Sequence, residues 1–322
     1  MKNIGLMRCT VSDAAGFTTE TGIRLRRAVN PLLRRVLHLA VKRRIVVEQY
    51  PALEPGEPYI FASTHFFDED IIANLAVIDR NAWVLIGTTD QLEHNPQMYA
   101  AWLNGLVYVN RLDADSRKES VKKMLRILNA GSSVLIFPEG GWNNSENLLV
   151  NPLFSGPWLL AKSTTVPCIP VAVFCEHNSD VIYMRYGEPM DIGCLEKDEA
   201  LELLRDRMAS MMYEMIIAHA SPLSREQLTG DCHLRHMEER RQEYLRVNWT
   251  RDTWDEELTV RQPSGVTAEK DVYAFAGHAA LTPENARVIL PAMELCDMYQ
   301  RYDFKAYMHK NWRGKTDSAE LS

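Results

Sequence analysis

Five short apolar runs, at residues 59–62, 83–86, 107–109, 134–137 and 169–174, constrain the fold of this chain more than any other feature. Each is rich in β-branched or aromatic residues and reads as a strand. Helical patterns such as the one over 116–130 separate them. Strands alternating with helices predict an α/β domain, a mostly parallel sheet flanked by helices. A chain that is 46% hydrophobic and 25% charged can bury such a core. Further along, 198–219 has the pattern of an amphipathic helix with Leu201, Leu204, Met208, Met211, Met212 and Met215 facing inward.

Chemistry enters where the first run ends. His65-Phe66-Phe67-Asp68-Glu69-Asp70 follows the strand at 59–62 and sets an imidazole and a carboxylate five positions apart. A histidine so placed can take a proton from an alcohol, and an aspartate can hold the ring in one tautomer. Asp68 and Glu69 between them read as solvated carboxylates of a loop or first helical turn, favourable near a helix N-terminus. The run at 107–109 delivers Arg111, whose planar fork suits a phosphate or carboxylate, or equally an ion pair with Asp113 or Asp115. The run at 134–137 is stopped by Pro138 and followed by Glu139-Gly140-Gly141, where glycines permit close approach of backbone N–H groups to a ligand, or simply an ordinary exit from the strand. The fifth run, preceded by Pro167 and carrying Pro170 near its start, reads as architecture.

In this order the four blocks resemble the glycerolipid acyltransferase family, which includes the lysophosphatidic acid acyltransferases. The resemblance spans about residues 58–175, roughly a third of the chain. It implies His65 as general base, Asp70 as its partner, and Arg111 with the Glu139-Gly140 region as the seat of the acceptor head group. It also implies transfer of a fatty acyl group from acyl-CoA or acyl carrier protein to a lysolipid hydroxyl, with no cofactor beyond that donor. Many members continue the third block as Glu-Gly-Thr-Arg, whereas this chain reads Glu139-Gly140-Gly141-Trp142-Asn143. An aromatic face and an amide there suit a sugar or a zwitterionic head group as well as a phosphate.

The residues themselves point the same way. No Gly-x-Ser-x-Gly elbow is present, and Cys168 and Cys175 lie in or near the apolar fifth run, so direct attack by the acceptor alcohol is the simplest scheme. Backbone N–H groups of Gly140 and Gly141 are candidate oxyanion donors. A hydrolase using the same His–Asp pair on water and a silent lipid-binding protein are the alternatives.

Six cysteines without paired spacing read as reduced thiols of a cytoplasmic protein, and Cys232-His233-Leu234-Arg235-His236 lacks the completing ligands of a metal site, so no metal is expected. No apolar run approaches the ~18 residues that span a bilayer, and residues 1–10 lack a signal-peptide core. Residues 22–44, by contrast, form a basic amphipathic pattern in which Leu25, Val29, Leu32, Val36 and Leu39 recur at helical spacing among arginines. Such a segment suits an anionic membrane surface, or a helix packed on the domain with a solvated basic face. Asn30-Pro31 permits two short helices or one kinked helix. The formal net charge of -7 leaves this basic band local, and its lack of interleaved stacking aromatics argues against nucleic acid. The expected organisation is therefore a membrane-associating segment over 1–45, an acyltransferase domain over 46–220 and a helical extension over 221–322, peripheral on a membrane.

Overall fold

A computed structural model of the protein describes residues 18–65, 67, 69–87, 96–109, 113–143, 148–176, 179–220 and 239. All of them belong to one of two units of the chain, Met1–Asn144 with Leu148–Asn248. Arg111, the Cys232–His236 cluster and, apart from Glu239, the extension over 221–322 lie outside the described residues.

In chain order the elements are helix α1 (Glu20–Ala40), strands β1 (Arg44–Gln49) and β2 (Ile60–Ser63), helix α2 (Asp70–Val77), β3 (Ala82–Ile86), α3 (Pro96–Asn104), β4 (Leu106–Tyr108), α4 (Ala114–Asn129), β5 (Ser133–Ile136), α5 (Gly156–Thr164), β6 (Cys168–Phe174), β7 (Val181–Tyr186), a 3-10 turn (Ile192–Cys194) and α6 (Lys197–His219). The strands form one seven-stranded sheet in the order β1-β7-β6-β2-β5-β3-β4. Every pairing is parallel except β6 with β7. The α/β class with a mostly parallel sheet is thus observed.

Burial explains why the central runs are strands. Side chains alternate across the sheet, so Ile60 and Ala62 of β2 and Val134 and Ile136 of β5 enter one apolar layer, while Phe61 and Leu135 enter the other. Helix α6 covers both layers, and its six expected inward residues, Leu201 through Met215, are all buried. Two strands were not expected. β1 continues directly from the basic run that reads as helix, and β7 supplies the antiparallel pair.

Helix α1 is a single helix that runs through Pro31 and is capped by the Thr19 hydroxyl, which accepts from the Gly22 N–H at 3.2 Å. Ile23, Asn30 and Leu37 face the domain. The Asn30 amide donates to Asn104 Oδ1 at 2.9 Å, and Asn104 donates to the Ala82 carbonyl at 2.7 Å, which seats α1 beside β3. The stripe Leu25, Val29, Leu32, Val36 and Leu39 points to solvent, with exposures from 40% to 85%.

Candidate active site

The central strands β2 and β5 are neighbours, and the segments leaving their C-terminal ends meet. That is where ligands gather on open parallel sheets. Beyond β2, Thr64 is locked to β6: its N–H donates to the Val171 carbonyl at 3.1 Å and its Oγ1 accepts from the Val173 N–H at 3.0 Å. His65 follows, and the chain turns into α2 at Asp70. The Asp70 carboxylate, at 0% exposure, accepts from His65 Nδ1 at 2.8 Å and from the Phe67 N–H at 3.3 Å. An acceptor at Nδ1 fixes the proton there and leaves Nε2 bare, ready to take a proton. Nε2 has no partner among the described residues, and the side chain is 17% exposed. The imidazole rests on Phe137 with ring centroids 4.4 Å apart and meets Trp142 edge-on at 6.1 Å.

Beyond β5, Phe137-Pro138-Glu139-Gly140 forms a tight turn in which the Gly140 N–H donates to the Phe137 carbonyl at 3.0 Å. Pro138 and Gly140 occupy the positions such a turn favours. Gly140 takes φ +78°, and a Cβ there would meet the Phe154 ring at 2.3 Å. Because its N–H is spent inside the turn, Gly140 is not the free oxyanion donor expected of it. Gly141 is half-buried, and its N–H has no partner among the described residues.

Glu139 holds the backbone on both sides of the site. It is 7% exposed, and its carboxyl group accepts from two backbone N–H groups, His65 at 3.1 Å and Asn151 at 2.7 Å. It therefore staples the histidine segment to the loop that follows the turn. A second staple joins the Asn143 N–H to the His65 carbonyl at 2.7 Å. The Asn143 amide donates to the Leu148 carbonyl at 2.9 Å, and Trp142 is 8% exposed. Trp142 thus walls the imidazole instead of offering an open platform.

Burial pushes the Glu139 carboxyl up to about 8, with the charge of Asp70 adding to the rise and the Asn151 and His65 N–H groups opposing it. The folded chain then holds a proton that the unfolded chain, with an ordinary value of 4.5, releases. Stability from this group is full below about pH 4.5 and declines as pH rises through about 8, with a slope approaching ~1.4 kcal/mol per pH unit. Glu139→Gln, neutral throughout, is expected to remove that slope from urea unfolding midpoints measured between about pH 5 and 8. Parallel pH curves for the two proteins would contradict it.

Glu69 was expected in solvent and is instead 2% exposed. Its Oε2 accepts from Arg43 Nη1 at 3.0 Å and its Oε1 from the Lys42 N–H at 3.0 Å. The sequence gives no local sign of this pairing, since Arg43 lies 26 positions upstream. No group of three or more histidine, cysteine, aspartate or glutamate side chains able to hold a metal occurs among the described residues.

Residues 44–174, which contain His65, Asp70 and the Glu139 turn, match the acyltransferase family profile. A 75-residue stretch is 29% identical to 1-acyl-sn-glycerol-3-phosphate acyltransferase BAT2, a chloroplastic protein of Brassica napus, covering 23% of this chain and 21% of that protein. This chain thus matches about a fifth of the relative's length. The crystal structure of the 1-acyl-sn-glycerophosphate acyltransferase PlsC from Thermotoga maritima is similar at 16% identity with a TM-score of 0.48, covering 68% of this chain and 90% of that one.

Proposed function

We propose, from the match of residues 44–174 to the acyltransferase family profile, that the protein transfers a fatty acyl group from acyl-CoA or acyl carrier protein to the hydroxyl of a lysolipid, lysophosphatidic acid or a related one, with His65 as general base. The observation that carries this reading is the 2.8 Å contact of His65 Nδ1 with buried Asp70, which leaves Nε2 for the substrate. In the reaction Nε2 takes the hydroxyl proton as the oxygen attacks the thioester carbonyl carbon. The negative charge that develops on the carbonyl oxygen needs donors, and the Gly141 N–H is the best placed in sequence to serve. Collapse of the tetrahedral intermediate breaks the C–S bond, and the imidazolium returns its proton to the departing thiolate. Asp70 stabilises that imidazolium.

The test is purified protein with isotopically labelled acyl-CoA or acyl carrier protein and a panel of lysolipids, read by mass spectrometry. Acylated lysolipid is the expected product. Free fatty acid alone would instead establish a hydrolase, and no turnover with any pair would favour a lipid-binding protein.

The acceptor's home is the second part of the proposal. None of the described helices is long and apolar enough to cross a membrane. The exposed stripe of α1 is edged on one side, at 100° per residue, by exposed Arg24 and Arg35, with Lys42 and Arg44 exposed just beyond the helix. Apolar side chains flanked by cations suit the interface of an anionic bilayer, each basic residue adding about 1 kcal/mol near such a surface. On this reading the protein works peripherally on a cytoplasmic membrane face. Flotation with phosphatidylglycerol vesicles is expected for the wild type and lost in the triple variant Leu25→Asp, Leu32→Asp, Leu39→Asp. Equal flotation of both proteins would remove α1 from the interface.

A further inference from the structure

We propose that Glu69, clamped by Arg43 and the Lys42 N–H, is the positioning residue that holds Asp70 against the imidazole. The inference rests on the acid–base role of His65 proposed above. Glu69 is the residue immediately before Asp70 and the cap position of α2, where its carbonyl accepts from the Ala73 N–H at 2.8 Å. Its side chain makes no local cap; both oxygens reach instead to Lys42 and Arg43, the two residues just before β1. The Arg43 guanidinium in turn lies over the Phe67 ring at 5.8 Å, and the Phe67 N–H donates to Asp70 Oδ2 at 3.3 Å. The ion pair therefore grips the segment 67–70 at two points, one through Glu69 and one through Phe67.

The grip acts on the turn that carries Asp70, and a second tie reaches the same residue through Asn74. Asp70 is held from the far side by the Asn74 amide, which donates to the Asp70 carbonyl at 2.9 Å and to Ser63 Oγ at 3.0 Å. Those bonds fix the backbone of α2 along its axis. Rotation of its first turn is opposed by Glu69, which ties the turn to the β1 end of the sheet. A displacement of about 1 Å at a general base's partner is enough to lower the rate ~10²-fold while leaving substrate contacts in place. The expected signature is accordingly a fall in kcat with little change in KM.

Glu69→Ala and Arg43→Ala are expected to lower kcat of acyl transfer by ~10–100-fold with KM for donor and acceptor within about threefold of wild type. Arg43→Lys, which keeps the charge, is expected to recover most of the rate. The double alanine variant should be no slower than either single one, since both remove the same tie. A second readout needs no turnover: the nitrogen-15 spectrum of the His65 ring is expected to show one Nδ1–H tautomer in the wild type and a mixture in Glu69→Ala. Should the alanine variants fail to fold by circular dichroism, Glu69→Gln, which removes the charge that Arg43 pairs with, carries both measurements. Wild-type kcat together with an unchanged tautomer in folded variants would overturn the proposal while leaving the acyltransferase reading intact. A shifted tautomer in a protein that transfers no acyl group would do the reverse.

Discussion

His65→Ala is expected to lower acyl transfer by ~10²–10⁴-fold while leaving the fold in place, the range set by loss of a positioned general base. The side chain is held by one hydrogen bond, to Asp70 at 2.8 Å, and by contact with Phe137 and Trp142, so its removal unties no structural element. The backbone of the same residue does carry structure, through its N–H to Glu139 and its carbonyl to the Asn143 N–H, and alanine keeps both. Function and scaffold are thus separable at this position. Asp70→Asn should cost a comparable factor by a different route. An amide NH2 turned toward Nδ1 would favour the Nε2–H tautomer, which cannot accept the hydroxyl proton. The check is single-turnover acyl transfer alongside circular dichroism and urea unfolding. A folded His65→Ala protein with more than a tenth of wild-type activity would remove the imidazole from the chemistry.

The parts of this site that were legible in the sequence are those written within a few residues of each other. Five strands, four of them interior and β4 at the sheet edge, announced themselves because largely buried strands give continuous apolar runs. The pairing of His65 with Asp70 needed only a strand end and a following helix. The turn at 137–140 could have been read further: Pro at its second position and Gly at its fourth imply that the Gly140 N–H closes the turn and is not free for a substrate. β7 was also legible in principle, since Ile182, Met184 and Tyr186 are buried in strict alternation with half-exposed Val181, Tyr183 and Arg185. β1 was hidden by chemistry, because Arg44 ends the basic run that the helical periodicity had claimed. What no local pattern could supply are contacts across sequence distance. Glu69 looked solvated because its charge partner is 26 positions away, and Glu139 looked like a ligand because its donors, His65 and Asn151, are 74 and 12 positions away.

Gly140→Ala is expected to destabilise the protein by about 2–5 kcal/mol and to disable the site at the same time. Two costs combine. Backbone at φ +78° is natural for glycine, and a Cβ there adds roughly 1–2 kcal/mol of strain. The new methyl group would also lie 2.3 Å from Phe154 Cε2 and 2.8 Å from Cδ2, a clash of the kind that costs about 1–3 kcal/mol. Phe154 cannot retreat as a whole, because its N–H donates to the Pro138 carbonyl at 2.8 Å, so the ring must swing or the turn must open. Opening the turn moves Glu139, and Glu139 holds the His65 backbone. Activity is therefore expected to fall by ~10² even in the fraction that remains folded. Phe154→Ala separates the two costs: in the Gly140→Ala background it removes the clash and leaves the strain, so the double variant should regain about 1–3 kcal/mol relative to the sum of the single changes. Additive effects in urea unfolding would mean that Phe154 does not pack over Gly140, and wild-type activity in Gly140→Ala would mean that the turn does not set the histidine.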